Sequence, residues 1–362
     1  MKHWKETAEI LDRVARLASA GRRAAVATVV RISGSAYRRP GARLLVEDDG
    51  RTIGGVSGGC LEADVREVAL SVMRTGRARL LHYDTGADEQ TVWGLGLGCY
   101  GSVDVFVQST DALVAPGTLD AVRGLLRDDE PFVVCTVVDG PADVGQSIVV
   151  AREGVLVAPT GLRELDTQLA HVASACLAAG VSALERVGSQ LVFAEVLRPP
   201  PPLIVCGAGD DARPLVAYAS DSGFAVTVVD HRPASLSSDR FPSAHRLLAL
   251  RPQDDLAALQ VDSRAAVVIQ THSLAHDREW LRRFLQIDAW YIGVLGPRAR
   301  RDAILRQIGV ESSARVFGPV GLDLGAEGPE QIAISIVAEL LAVRGAHEPR
   351  HLRDGGAAIH AS

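Results

Sequence analysis

The sequence carries no excess of positive charge. Its 38 Lys and Arg stand against 44 Asp and Glu, a formal net charge of −6 with histidine neutral. Proteins that ride on a nucleic-acid backbone carry the reverse imbalance, because they must displace condensed counterions. Aromatics make up only 4% of the chain, and no basic stripe is interleaved with them, so nucleic acid is not an expected partner. No apolar run approaches the roughly 20 residues needed to cross a bilayer, so no membrane span is expected. The opening stretch MKHWKETAEILDRVARLASAGRR mixes charges into an amphipathic pattern and lacks the apolar centre of a signal peptide. Cysteines are few: Cys60, Cys99, Cys135, Cys176 and Cys206, odd in number and without a CxxC pair. That speaks against a disulfide framework and against a structural zinc site, and it leads us to expect a reducing, cytoplasmic compartment.

What is present is ample core material. The 362 residues are 47% hydrophobic and 23% charged, and at roughly 150 residues per domain they suggest two or three domains. The sharpest break is Arg198 followed by Pro199, Pro200, Pro201 and Pro202. Consecutive prolines donate no backbone hydrogen bonds and favour an extended, semi-rigid segment. We read residues 1–197 as one domain, 198–202 as a linker, 203–344 as a second domain and the residues from 345 to 362 as a frayed tail.

In the first half, Ile10, Leu11, Val14 and Leu17 recur at helical spacing, so the pattern predicts a helix over 4–20. Strands are predicted over 24–32, 43–46, 103–107, 131–138 and 147–150, and helices after Cys60 and over 164–179. This makes the half α+β, with no topology assigned. The second half alternates regularly: short apolar strands at 203–206, 225–229, 265–269 and 290–295 with helical stretches between them. Such alternation implies right-handed crossovers and a parallel, Rossmann-like sheet. Pro329 and Glu330 then signal the start of a closing helix over 329–341.

Five loops carry candidate chemistry. Gly207-Ala208-Gly209-Asp210-Asp211-Ala212 fits the dinucleotide fingerprint between a strand and a helix, and Asp230 stands at the end of the next strand, where an acid commonly holds a ribose. The residues Ser57, Gly58, Gly59 and Cys60 lead into a helix. Unpaired amides there would favour a thiolate at Cys60, or Cys60 is a small residue packed at a tight turn. Cys99 shares a glycine-rich setting without a clear following helix, whereas Cys135, Cys176 and Cys206 read as inert core thiols. The stretch 34–42 sets Arg38 and Arg39 in a loop, either to grip a phosphate or as a solvated turn. His272 follows an apolar strand and suits a polar crevice; with His276 it has the spacing to share a metal if the segment is helical.

With these residues in view, the chain resembles the XdhC/CoxI family of molybdenum hydroxylase accessory proteins over almost its whole length. The first half matches through Gly34-Ser35, Arg38, Pro40-Gly41-Ala42, Ser57-Gly58-Gly59-Cys60-Leu61-Glu62, Gly94-Leu95-Gly96 and Gly98-Cys99. The second matches through Gly207-Ala208-Gly209, Val228-Val229-Asp230, Thr271-His272, Tyr291-Ile292-Gly293, Gly296 and the run from Gly318 to Ala326. Departures fall at Tyr37, Tyr100, Asp210 and Ser273. The resemblance implies an α+β cysteine-loop domain followed by a Rossmann-like domain. It implies a chaperone that binds molybdenum cofactor (molybdopterin) and delivers it to an apo molybdenum hydroxylase, with a cysteine desulfurase as a further partner where the cofactor is sulfurated. In that setting Cys60 is the candidate thiolate and molybdenum ligand and Cys99 the second choice, with Arg38, Ser57, Gly58, Gly59, Gly207, Gly209, Asp230 and His272 as further cofactor-binding candidates. A homodimer is the commonest prior. The rival reading is an NAD(P)-dependent oxidoreductase, with Gly207, Gly209 and Asp230 on the nucleotide and His272 as acid/base.

Overall fold

The amphipathic segment that opens the chain is helix α1 (Lys2–Ser19) in a computed structural model, which describes residues 2–34, 38–84, 101–112, 118–259 and 261–354. The stripe seen in the sequence is its buried face: Ile10, Val14 and Leu17 pack on Ala24, Val26 and Leu45. Strands β1 (Ala24–Gly34), β2 (Arg43–Glu47) and β3 (Thr52–Gly54) follow, then helix α2 (Glu62–Thr75) and strands β4 (Arg79–Asp84) and β5 (Gly101–Ser109). They form an antiparallel sheet in the order β3-β2-β1-β5-β4. Alternation along the strands sends Ala25, Ala27, Val29, Val105 and Val107 to one face, where Val65, Ala69, Val72 and Met73 of α2 cover them.

The chain then repeats itself. Helix α3 (Thr118–Arg127), strands β6 (Phe132–Asp139), β7 (Ser147–Ala151) and β8 (Leu156–Ala158), helix α4 (Arg163–Ala179) and strands β9 (Ala183–Val187) and β10 (Gln190–Leu197) run in the same series. Their sheet has the same order, β8-β7-β6-β10-β9. The likeness extends to single hydrogen bonds. Val29 N–H donates to the Ala42 carbonyl (2.9 Å) and the Val29 carbonyl accepts from Gly41 N–H (2.8 Å); Val137 N–H donates to Gln146 and its carbonyl accepts from Gly145 N–H in the same way, at 3.0 and 2.8 Å. Helices α2 and α4 both end on a left-handed glycine, Gly76 (φ 69°) and Gly180 (φ 72°), whose N–H reaches back to Val72 and Cys176. The copies differ in their connections. Residues 85–100 join β4 to β5, whereas Gly188 and Ser189 alone join β9 to β10; residues 55–61 lead into α2, whereas 159–162 lead into α4.

The two sheets meet directly through Val30 and Phe106 on one and Val138 and Phe193 on the other. Beside this contact Arg43 of β2 reaches Glu195 of β10, a short pair with side chains only 12% and 6% exposed, and Arg43 also donates to Thr7 at 2.7 Å. Burial pushes the Glu195 carboxyl up while Arg43 opposes it. The pair thus ties the copies together at a point where either charge alone would be stranded.

Residues 200–354 form a second compact unit, separate from 2–199. Strand β11 (Pro202–Cys206) begins on a proline, tolerated because a first strand residue can do without its N–H. Helix α5 (Ala212–Asp221), strands β12 (Ala225–Asp230), β13 (Arg246–Ala249) and β14 (Ala266–Ile269), helix α6 (Leu274–Phe284), strand β15 (Tyr291–Val294), helix α7 (Arg298–Gln307), strand β16 (Val316–Phe317) and helix α8 (Gly328–Arg344) complete it. All the strand pairs are parallel, in the order β13-β12-β11-β14-β15-β16. Numbered from β11, that is the doubly wound order 3-2-1-4-5-6, with its switch point between β11 and β14. Leu203 and Val205 face α5 and α8, while Ile204 and Cys206 face α6 and α7. The predicted fold class therefore holds: an α+β N-terminal half and a Rossmann-type C-terminal unit. Beyond Arg344 the residues of the tail up to Asp354 are exposed.

Glu195→Ala should lower unfolding free energy by about 3–5 kcal/mol in urea titration, because it leaves Arg43 buried without a counter-charge. The double change Arg43→Met with Glu195→Leu should recover most of that loss.

Candidate functional site

Three connections leave the first sheet toward one end. Gly34 at the end of β1 pairs with Gly101 at the start of β5, Asp84 at the end of β4 pairs with Ser102, and Gly54 at the end of β3 pairs with Leu44 at the head of β2. The segments bearing Arg38, Cys60 and Cys99 all set out from these strand ends. Cys99 and Tyr100 fall in 85–100, which, like 35–37, lies outside the described residues.

The Cys60 loop is closed by its own side chains. The Glu62 carboxylate accepts from the amides of Val56 (3.2 Å) and Ser57 (2.8 Å) and from the Ser57 hydroxyl. Ser57 Oγ in turn accepts from the amides of Gly59 (3.1 Å), Cys60 (3.0 Å) and Leu61 (3.1 Å). Burial raises the Glu62 carboxyl, but these donors together hold it below the usual range. This corrects the expectation of unpaired amides around the thiol: they are engaged by Ser57. What the loop does is hold Cys60 half-buried beside exposed Gly58 and Gly59, the latter left-handed (φ 118°) with open space where a side chain would stand. The second copy has the same device in shorter form. Asp166 accepts from Thr160 N–H and Oγ1 (2.8 and 2.6 Å) and from Gly161 N–H, and Thr160 Oγ1 accepts from Leu162 N–H.

Arg38 is not free to grip a phosphate. Its Nη2 donates to both oxygens of Glu6 on α1, at 2.7 Å to Oε2, and its side chain is only 15% exposed. Glu6 lies against Gly54, where a Cβ would stand 3.2 Å from its Oε1, so the Arg38–Glu6 pair sits at the end of β3.

A group that the sequence did not reveal lies across β1, β5 and β4. Asp104, buried, accepts from Arg31 Nε at 2.7 Å and meets His82 Nδ1 at 2.5 Å. Arg31 and His82 remain about 60% exposed, so a buried carboxylate holds two outward-facing nitrogen groups. They stand apart in sequence and come together only through strand register, which no local pattern encodes.

In the second unit Gly207 (φ 120°) is required where β11 passes β14, because a Cβ would strike the Gln270 backbone. The dinucleotide reading fails beyond that point. The Asp230 carboxylate accepts from Ala208 N–H (2.8 Å), from Arg232 N–H and Nε (both 2.9 Å) and from Arg232 Nη2 (2.9 Å). Burial alone would raise it, yet these bonds hold it well below the carboxylate range. Both oxygens face the protein, so no ribose clamp is left. Asp211 folds over Gly209, where a Cβ would collide with its Oδ1, and so places a carboxylate where a pyrophosphate would approach the start of α5. Asp210 pairs with Arg240 at 3.1 Å.

His272 adopts φ 58°, a left-handed conformation rare outside glycine, and its Nε2 lies 2.9 Å from Asp211 Oδ2. His276 instead meets His231 edge-on at 4.9 Å, while Ser273 caps α6 by accepting from His276 N–H at 3.4 Å. His272 and His276 therefore have separate partners, and among the described residues no cluster of three metal-ligating side chains forms. Behind them the buried Asp277 accepts from Thr271 N–H and Oγ1 (3.1 and 2.6 Å) and from Arg300 Nη2 (2.6 Å). Of the other cysteines, Cys135, Cys176 and Cys206 are buried as expected, and burial raises all three thiols, Cys135 to about 12.

The strand order and the glycine-cysteine loops define a two-unit protein: a duplicated α+β unit with a thiol-bearing loop, followed by a Rossmann domain. The chain belongs to the XdhC and CoxI family. Residues 17–84 match that family's model, and 203–340 match the XdhC Rossmann domain. A Bacillus subtilis protein named as a probable xanthine dehydrogenase subunit is 32% identical over 321 residues, covering 89% of this chain and 93% of its own. The Escherichia coli molybdenum cofactor insertion chaperone PaoD is 26% identical over 331 residues, 90% of this chain and 84% of its own. A crystal structure from Bacillus halodurans, described as a xanthine dehydrogenase, superposes with a TM-score of 0.76 at 27% identity, covering 94% of this chain and 96% of the other.

Two outcomes follow. In Ser57→Ala the amides of Gly59, Cys60 and Leu61 lose their acceptor, and their hydrogen exchange should accelerate by at least about tenfold. For Asp230, a carboxyl held low in the folded state stabilises above its unfolded value near pH 4 and ceases to as pH falls below it. Asp230→Asn should therefore lower stability at pH 7, with the gap to the unsubstituted protein closing in denaturation measured between pH 4 and 2.

Proposed function

We propose that this protein is a cytoplasmic molybdenum cofactor chaperone that binds molybdopterin-type cofactor through its first unit and delivers it to an apo molybdenum hydroxylase. The observation that carries the reading is the locked glycine loop that holds Cys60 half-buried beside exposed Gly58 and Gly59. The name of the E. coli relative points the same way. The residues fit such a ligand chemically. Cys60 is a soft donor suited to molybdenum, and exposed Gly58 and Gly59 leave clearance for a bulky group. When bound, the cofactor supplies the molybdenum centre that the client enzyme uses. This chain's part is to hold it, shield it and release it on docking.

In this reading the protein acts as a homodimer, and a cysteine desulfurase is a second partner where sulfuration precedes delivery. The NAD(P) alternative has no support from the Rossmann loop, where Asp230 and Asp211 are committed to internal partners.

The test is anaerobic incubation of pure protein with molybdenum cofactor, desalting, and assay of retained molybdenum and pterin. Near-stoichiometric retention by the unsubstituted protein is expected, with most of it lost in Cys60→Ala. No retention by either protein would overturn the reading.

A further inference from the structure

The two faces of the Rossmann sheet are covered by helices of different character. On one face α6 and α7 carry charge along their length, with Arg278, Glu279 and Arg282 on the first and Arg301, Asp302 and Arg306 on the second. That is the ordinary pattern of a solvated helix. On the other face α5 and α8 pack over one core and carry outward charge only at their ends. Arg213 and Asp221 bound α5, and Glu330 and Arg344 bound α8. The single acid within α8, Glu339, is turned inward, where it accepts from the Tyr291 hydroxyl and from Gly321 N–H.

This uncharged layer is nevertheless open. Ile334 is 51% and Leu341 42% exposed, Gln331 is exposed beside them, and Ala338 lies half-buried between. Positions 331, 334, 338 and 341 follow one another at steps of three, four and three, the spacing of a seam that packs on another helix. Half-buried Ala217 and Tyr218 continue the surface onto α5. Helix α8 has 17 residues, about 25 Å at 1.5 Å per residue, and two helices side by side are about 20 Å across. The layer thus offers on the order of 500 Å² per copy, and about 1,000 Å² for a pair is what a specific protein interface needs.

The layer is complementary to itself. The two helices run the same way: Leu215 and Ile332 line one pocket near their starts, and Arg344 at the end of α8 lies over Phe224, just beyond the end of α5, at 5.9 Å. One end of the layer therefore carries Arg213 and Glu330, and the other Asp221 and Arg344. A two-fold axis passing Ala338 across the helices lays α8 antiparallel on the α8 of a second copy. Ile334 then meets Leu341 of that copy, and Ala338 meets its own counterpart, where the small side chains let the backbones approach. At the corners Glu330 faces Arg344 and Arg213 faces Asp221. We propose that the α5–α8 face is the homodimer interface of this protein, with Ala338 at the two-fold. The inference rests on the homodimer of the proposed function and gives it a surface. A different protein would have to match the seam and the corner charges separately, whereas a second copy supplies both by symmetry.

The experiment uses the full chain, with mass and dissociation constant read by analytical ultracentrifugation. The unsubstituted protein should sediment at twice the chain mass. Leu341→Glu, which sets a carboxylate on the seam at an exposed position, should weaken the dimer at least about tenfold without altering the far-UV circular dichroism. Ala338→Cys should cross-link to its counterpart under copper–phenanthroline and air, giving a linked dimer on a non-reducing gel. Arg278→Cys, on the charged face, should give no more linked dimer than the unsubstituted chain. A dimer that survives Leu341→Glu, or that Ala338→Cys does not link, overturns the surface assignment and leaves the homodimer standing. A dimer that survives while Leu341→Glu abolishes activation of a hydroxylase overturns it too, and gives the face to the client enzyme. A monomer at every concentration up to tens of micromolar overturns both the surface and the homodimer, and retention of molybdenum cofactor by that monomer would leave the carrier role intact.

Discussion

Backbone amides withdrawn from water must find acceptors, and this chain supplies them from its own carboxylates. Glu62 closes the Cys60 loop, Asp166 its counterpart in the second copy, Asp230 the glycine turn after β11, Asp277 the turn after β14, and Glu339 the turn at Gly321. Each is a local necessity, because an orphaned amide costs about 1–3 kcal/mol. Together they decide what the loops can bind. A glycine loop whose amides already hold an internal anion is rigid, and it is a poor receptor for a second anion. The fingerprint that suggests a pyrophosphate cradle is here an internally neutralised turn.

That constraint separates the two units by chemistry. In the first, the locked loop leaves a half-buried thiol beside two exposed glycines, while Arg31 and His82 are held by Asp104 on the other face of the sheet. In the second, Asp210 and Asp211 at the start of α5 are paired with Arg240 and His272 beside a pocket with apolar walls.

Much of the fold was legible because it depends on local periodicity. The α1 stripe, the β11–α5–β12 alternation and the proline-led start of α8 are all written in neighbouring residues, and their observed bounds lie within a few positions of the predicted ones. The topology of the first unit was not. Its short edge strands β3, β8 and β9 have too few residues to show a period, and the duplication is carried by bulges, caps and strand order, with Val29 matched by Val137 and Gly76 by Gly180 while their surroundings differ. The site was half legible. Cys60 and its glycines stand out, but the roles of Arg38 and Asp230 do not, because their partners, Glu6 and Arg232, cannot be read from residue type alone. The Arg31–Asp104–His82 group depends wholly on register.

The duplication has a consequence for how such a protein changes over time. The second copy closes β9 to β10 with two residues and enters α4 through four, and it still builds a buried core of its own. The scaffold therefore does not need the longer connections of the first copy in order to fold. Of the segment 55–61, Val56 and Leu61 still enter the core of the first copy, and exposed Gly58 and Gly59 are the positions freest to vary while the layers beneath them stay fixed. The molecule separates heritable framework from adjustable contact surface, much as an antibody domain does, and it carries its own unadorned copy of the framework within the same chain.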